Sequence, residues 1–459
     1  MNNLAGSDRQ LSNHERGFQD LESSTRTQVV SGVVFLSKHV SGPKIWKRLW
    51  EFTRVNPIYR SLIDDGRQIA WKTDTSFDLS NHLDEIVIER CTTEQVLTML
   101  SNIASRGLPT NQPPWRILVL RLAVGGQPPA SCALAIVAHH SLLDGLHGMK
   151  LFTNLLDGAE RRSNMRGSTA TDFPNDRETK VPAFNAGCAR FVAGEMLRRS
   201  AKSILASDAS ASATRTTLAF EWSRKLFRTA QQRGKSTFQE ILLTVITDAL
   251  ARYSRSHGQN RNLRAIVPLA RCENHPSSHN TNQHDIGYIK LPITSEHCDR
   301  VQEIRTSLRS LRQQQKLQFF PSLLGFIGRL PKVLRTFVAR RFAYQADLLI
   351  SLIPGGRTKQ TLDGAEVLSI FAQPALPPRH SIVVGITLSR CSVCVTLQLD
   401  AKQIDDPENL KSCFELAYRG TIFESASTGS VPCTNIVPNT NPIKGSKYDL
   451  HEQPLGSVS

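Results

Sequence analysis

Apolar and polar positions along this chain fall into short alternating runs interleaved with longer amphipathic stretches. Ser12 to Phe18 predicts a first capped helix, Val29 to Leu36 a strand and Ile45 to Val55 a helix. Asn56-Pro57-Ile58-Tyr59-Arg60 breaks that helix and leads into a strand. Leu83 to Glu89 and Trp115 to Leu122 alternate as strands, and Gly125-Gly126-Gln127-Pro128-Pro129 turns the chain back. Ala133 to Ala138 is a continuous apolar run, the pattern of a buried strand, ending at His139. Beyond Gly145, apolar residues at Leu146, Met149, Leu151, Phe152, Leu155 and Leu156 predict an amphipathic helix.

The texture changes from Gly158 to about Thr216, rich in Arg, Ser and Ala, with one amphipathic helix near Phe191 to Leu205. Helices are predicted again at 236–257 and 299–316, with strands near 263–269, 286–293, 366–372, 381–389 and 392–399. These patterns divide the chain into a polar start with a first helix (1–28), an N-terminal subdomain (29–158), a crossover (159–216), a C-terminal subdomain (217–425) and a disordered tail (426–459) rich in Ser, Thr, Pro, Asn and Gly. The fold class is α/β in the broad sense (α+β): mixed sheets flanked by helices, without an alternating parallel βαβ series.

The chemistry concentrates where the buried strand meets the helix, in His139-His140-Ser141-Leu142-Leu143-Asp144-Gly145. The four fixed residues His139, His140, Asp144 and Gly145 would arise by chance in roughly one such chain per thousand at average usage, so the motif stands above background. An imidazole is the natural general base for taking a proton from a hydroxyl or amine. A carboxylate four residues on can pair with a basic group and fix the turn, and a glycine permits a close approach that a Cβ would block. The bland alternatives are a buried core histidine pair or half of a metal site.

His-His-x-x-x-Asp-Gly resembles the signature of the coenzyme A-dependent acyltransferase superfamily, and other segments lean toward its wax ester synthase/diacylglycerol acyltransferase branch. Phe77-Asp78-Leu79-Ser80-Asn81-His82 is similar to that branch's Phe-Asp-x-x-His segment, and Gln112-Pro113-Pro114-Trp115 to its Pro-Leu-Trp element. His140 to Phe152, Ile241 to Tyr253, Leu263 to Pro268 and Tyr288 to Pro292 extend the likeness, which spans about residues 10 to 425. Gln239-Glu240 stands where the branch commonly carries Asn-Asp, Arg271 is the nearest match to a displaced arginine, and the plant-type Asp-Phe-Gly-Trp-Gly motif is absent. An alcohol acetyltransferase-like enzyme is the second choice. The resemblance implies two chloramphenicol acetyltransferase-like subdomains with an active-site groove between them. It also implies acyl-CoA as co-substrate, with no bound cofactor and no metal, and a small-molecule or lipid alcohol as acceptor. His140 would deprotonate the acceptor and then protonate the leaving thiolate, His139 would tune or position it, and Asp144 and Gly145 would hold the turn. A thioester is already activated and no Gly-x-Ser-x-Gly elbow is present, so no acyl-enzyme is expected.

Composition narrows the picture. The chain has 459 residues, enough for two or three domains' worth of core, and is 40% hydrophobic. No apolar run reaches transmembrane length and the N-terminus lacks a signal-peptide core, so a cytoplasmic enzyme is expected. Nine scattered cysteines suit a reducing compartment. A net charge of +16 without any recognisable nucleic-acid module fits a polyanionic CoA thioester or an anionic membrane surface. Arg329 to Phe342 interleaves basic residues with Leu330, Val333, Leu334, Phe337 and Val338. That pattern is either a surface helix packed by its apolar stripe on the core, the preferred reading, or a peripheral contact with a membrane or lipid droplet.

Smaller constellations carry less. Cys272, His275, His279 and His284 can be drawn as a metal site, but their loop composition favours a solvated loop. Cys391 and Cys394 lie three apart in a strand pattern and so face opposite sides. Gly355-Gly356 is only a turn. Two rival functions remain: a condensation-like enzyme taking its acyl group from a carrier protein in trans, and a non-catalytic protein binding a lipid surface.

Overall fold

The structure, a computed structural model, describes residues 9–64, 69–89, 91–122, 130–157, 209–258, 261–270, 284–316, 327–356 and 358–423, with a few positions between 190 and 207. Most of the expected crossover, the Gly125–Pro129 turn, Arg271, Cys272, His275, His279 and the tail lie outside the described residues.

In chain order the first half runs β1 (Arg9–Gln10), α1 (Asn13–Leu21), β2 (Val29–Leu36), α2 (Gly42–Val55), β3 (Ser61–Asp64), β4 (Ala70–Thr73), β5 (Leu83–Ile88), α3 (Thr93–Ser105), β6 (Trp115–Leu122), β7 (Cys132–His139) and α4 (Gly145–Leu155). The second runs β8 (Arg215–Ser223), α5 (Arg224–Gly234), α6 (Phe238–Ser256), β9 (Leu263–Ala270), β10 (His284–Leu291), α7 (His297–Lys316), α8 (Lys332–Ala343), β11 (Leu348–Ile353), β12 (Thr361–Leu362), β13 (Ala365–Gln373), β14 (Ile382–Leu388), β15 (Ser392–Asp400) and α9 (Pro407–Phe423). Helix starts follow the sequence. Ser12, Thr92 and Thr237 each close a capping box, with Glu15, Gln95 and Glu240 three residues on. Glu240, where the branch carries a shorter acid, therefore anchors the start of α6 and pairs with Arg305.

Two six-stranded mixed sheets make the two halves. One has the order β12-β13-β2-β7-β6-β5, the other β10-β9-β11-β14-β15-β8, and β1-β4-β3 form a small third sheet. The 366–372 strand pattern is thus placed in the sheet of the first half, where β13 lies antiparallel to β2 with a bulge between Val367 and Ser369. One face of the first sheet packs on α4 through Val34, Leu134 and Ile370 with Leu151 and Leu155. The other packs on α3 through Val33, Phe35 and Ala135 with Leu97 and Leu100. The second sheet buries its own core with α6, α7 and α9.

The seam between the halves holds buried polar contacts. Arg26 and Asp400, 2% and 0% exposed in their side chains, form an ion pair of 2.7 Å, and Asp400 also accepts the Ser212 N–H. Arg215 donates to the Thr25 carbonyl, and Gln373 donates to the Leu97 carbonyl and the Ser101 hydroxyl. His380, fully buried beside this seam, offers its carbonyl to Arg26.

The basic segment is helical at α8, and its apolar stripe is divided. Val338 is buried and packs with Ile327, Leu330 and Phe342, as the preferred expectation has it, whereas Val333, Leu334 and Phe337 are 84%, 46% and 60% exposed. On the packed side, with Val338 and Ala343, buried Arg335 pairs with buried Asp20 of α1. No helix among the described residues is long and apolar enough to cross a membrane. Cys391 is exposed and Cys394 buried, its thiol pushed up to about 12 by burial.

Candidate functional site

The motif sits at a strand-to-helix turn. β7 ends at His139, whose N–H bonds the Pro114 carbonyl, while the His140 N–H bonds the Gln28 carbonyl at 2.7 Å. The His139 carbonyl then accepts from Leu142 and Leu143, closing the turn before α4. Asp144 caps that helix: its Oδ1 accepts the His147 N–H at 2.7 Å and lies 2.9 Å from His147 Nδ1. The carboxylate is therefore engaged with the helix start and with a histidine that sequence reading did not single out. Gly145 allows a close approach from the second half, since a Cβ there would stand 2.7 Å from Ile353 Cδ1.

The two histidines face different neighbours. His139 is buried and turned to α1, with its Nε2 3.3 Å from Glu22 Oε2 and Gln19 Nε2 within 3.4 Å of the ring. Ser141 donates from its hydroxyl to the Glu15 carbonyl at 2.9 Å. The His140 ring lies face to face with Phe18, ring centres 3.9 Å apart and planes 10° from parallel, and His14 stacks on the same phenyl ring at 5.2 Å.

His140, Asp144 and Gly145 line one apolar cavity between α4 and the first sheet, of about 810 Å³ including its open mouth. Protein layers normally interdigitate closely, so a gap between them calls for small side chains. Here small residues face each other: Gly32 at the centre of the sheet, paired with Ala372 and Ile136, opposite Gly148 of α4. Ile117, Leu134, Ile136, Phe152 and Leu155 wall the interior, and Ser351 and Ile353 of β11 close it toward the second half. The expected groove between the halves thus continues as a cavity within the first.

Other segments singled out in the sequence meet behind the site. His82 Nδ1 lies 2.8 Å from the Trp115 carbonyl and its ring stacks between Phe77 and Trp115. Trp115 Nε1 donates to the Tyr59 carbonyl. Tyr59 is buried, and burial together with the Asp144 charge pushes its phenol well above the ordinary range. No group of three or more potential metal ligands occurs among the described residues. Sequence reading missed Phe18, Gln19 and Glu22. Their only signal was the capped helix that carries them.

Comparison with known proteins bears on the same features. The wax ester synthase/diacylglycerol acyltransferase catalytic domain matches residues 11–255, and the WS/DGAT C-terminal domain residues 281–420. The probable diacylglycerol O-acyltransferase Tgs4 of Mycobacterium tuberculosis is 19% identical over 454 residues, covering 86% of this chain and 92% of its own. Among solved structures, the wax ester synthase/diacylglycerol acyltransferase from Marinobacter aquaeolei VT8 superposes with a TM-score of 0.65 at 16% identity, over 91% of this chain and 100% of that one. The starter condensation domain of rhizomide synthetase, solved with C8-CoA, gives 0.60 at 12% identity over 92% and 95%. With both domains matched in order around the His-His-Asp-Gly turn, this chain belongs to the wax ester synthase/diacylglycerol acyltransferase family and is an acyl-CoA-dependent O-acyltransferase.

Proposed function

We propose that His140 is the general base that transfers the acyl group of acyl-CoA to an alcohol without a covalent acyl-enzyme. One observation carries this reading: His140 stands on a rigid strand-to-helix turn and lines an apolar cavity. The hydroxyl of the acceptor gives its proton to His140 as its oxygen attacks the thioester carbonyl. Collapse of the tetrahedral adduct expels the CoA thiolate, which takes the proton back. The base thus returns to its starting state, and one residue serves both steps. In this reading the aliphatic chain of the donor lies over Gly32 between α4 and the sheet, away from water. His139, tied to Glu22 and Gln19, positions the turn, while Asp144 and Gly145 fix the start of α4.

The acceptor is a small-molecule or lipid alcohol reaching His140 from the opposite side. The exposed Val333, Leu334 and Phe337 on a helix rich in Arg support peripheral contact with a lipid surface. The test is free-thiol release and ester formation with acyl-CoAs of graded length and mixed alcohols. Activity that disappears in a folded His140→Ala variant is expected. Full activity in that variant would remove His140 from the chemistry, and activity only with carrier-protein thioesters would replace the donor.

A further inference from the structure

We propose that Phe18 is a positioning residue for His140: its phenyl face, stacked flat on the imidazole, fixes the ring plane of the base and stabilises the cation that forms when the base takes a proton. The inference rests on His140 acting as the base.

The geometry leaves little freedom in how the two rings meet. Ring centres 3.9 Å apart with planes 10° from parallel put the imidazole over the electron-rich face of the phenyl group. Two neutral aromatic rings gain only modestly from such a near-parallel arrangement. The same arrangement suits a cation over a π face, an attraction that grows when water is excluded. The interaction is therefore weaker for the neutral base and stronger for the imidazolium, the direction that accelerates proton abstraction.

Phe18 is kept there by contacts independent of the stack. The helix carrying it is capped at Ser12 and Glu15, and Arg9 pairs with Glu15 at 2.7 Å. Its next turn hydrogen-bonds the motif through Glu15 to Ser141 and through Gln19 and Glu22 to His139. On its other side Asp20 receives the buried Arg335 guanidinium and the Thr336 hydroxyl of α8. Helix α1 is thus braced between α8 and the catalytic turn, with Phe18 directed at His140. Among the described residues, the titratable and charged groups on the elements around the motif include His14, Glu15, Arg16 and Asp20 of α1, Glu22 just after it, His139 of β7, and Asp144 and His147 at the start of α4, with Tyr59 close to Asp144. All of them remain in the variants below.

The experiment measures kcat, KM and the pH profile of kcat/KM for the full chain carrying Phe18→Leu, Phe18→Tyr or His140→Ala. Leu keeps apolar bulk and removes the π face. The expected result is a fall in kcat of about 3- to 30-fold for Phe18→Leu with KM nearly constant. The acid limb should move down by roughly half to one and a half pH units, because the cation loses its partner. Phe18→Tyr should restore both. A purely structural role predicts a lower melting temperature with an unmoved acid limb, and that result overturns the proposal while leaving His140 as the base if His140→Ala is inactive. An active His140→Ala variant overturns both.

Discussion

His380 should make the stability of this enzyme depend on pH in a window where most of its carboxylates are already charged. The residue is fully buried two positions before β14, beside the seam between the halves. Burial, the largest influence, holds its pKa down at about 4 against the opposing pull of the Asp347 charge. In the unfolded chain a histidine titrates near 6.5. Between about pH 6.5 and 4 the unfolded state therefore binds a proton that the folded state refuses. Unfolding free energy rises with pH wherever the unfolded state holds more protons, so stability is complete above about pH 6.5 and is lost as the pH falls toward 4. At about 1.4 kcal/mol per pH unit across this window, the loss is on the order of 3 kcal/mol. The perturbation is His380→Phe, which keeps a flat ring and removes the titration. Urea unfolding followed by tryptophan fluorescence at about pH 7 and about pH 4.5 measures it. The wild-type chain should lose roughly 2–3 kcal/mol more than the variant on acidification. Equal losses would refute the reasoning, since the cost would then come from other groups.

Three further outcomes are expected. Asp400→Ala strands the buried Arg26 guanidinium and should lower unfolding free energy by about 3–5 kcal/mol, whereas Arg26→Met with Asp400→Leu recovers much of it; a double variant no better than the single one counts against the ion pair as the cause. Gly145→Val drives a side chain into Ile353 and should cut kcat/KM by about 10- to 100-fold, partly restored by Ile353→Ala; steady-state kinetics without that restoration would point away from the contact. Gly32→Leu points a side chain into the cavity from a position where a Cβ fits, 3.6 Å from the Phe371 carbonyl oxygen. It should shift donor preference toward shorter acyl-CoAs, and an unchanged chain-length profile would place the acyl chain elsewhere.

Local pattern made much of this legible. The strand expected at Trp115–Leu122 has those bounds, and the buried run before His139 is β7, because a strand inside a sheet needs apolar residues on both faces. The first helix and the one at 236–257 were readable, their caps being satisfied within a few residues, whereas α3 went unread although Thr92 and Gln95 cap it in the same way. Partnerships between distant segments were not. The alternation at 366–372 marks a strand, yet nothing in it states that its neighbour is β2. The stripe on α8 announced a buried face, which Val338 and Leu330 form, but not the ion pair of Arg335 with Asp20, far away in the chain, nor the exposure of Val333 and Phe337. At the site, the motif declared His140 and Asp144, whereas Phe18 becomes visible only when α1 is laid across the turn.

The exchange of β13 into the first sheet has a consequence for how the chain acquires its structure. During synthesis the edge of β2 stays open until residue 373 has emerged, although β2 itself is finished at Leu36. An open apolar edge is an invitation to pair with another chain. The two halves consequently do not fold one after the other as independent beads. The last two strands of the first, β12 and β13, are delivered by the second, and the contact is non-local enough to make assembly slow. A chain cut between the halves should yield an aggregation-prone N-terminal fragment, and regain order only when the missing strands are supplied by the other piece.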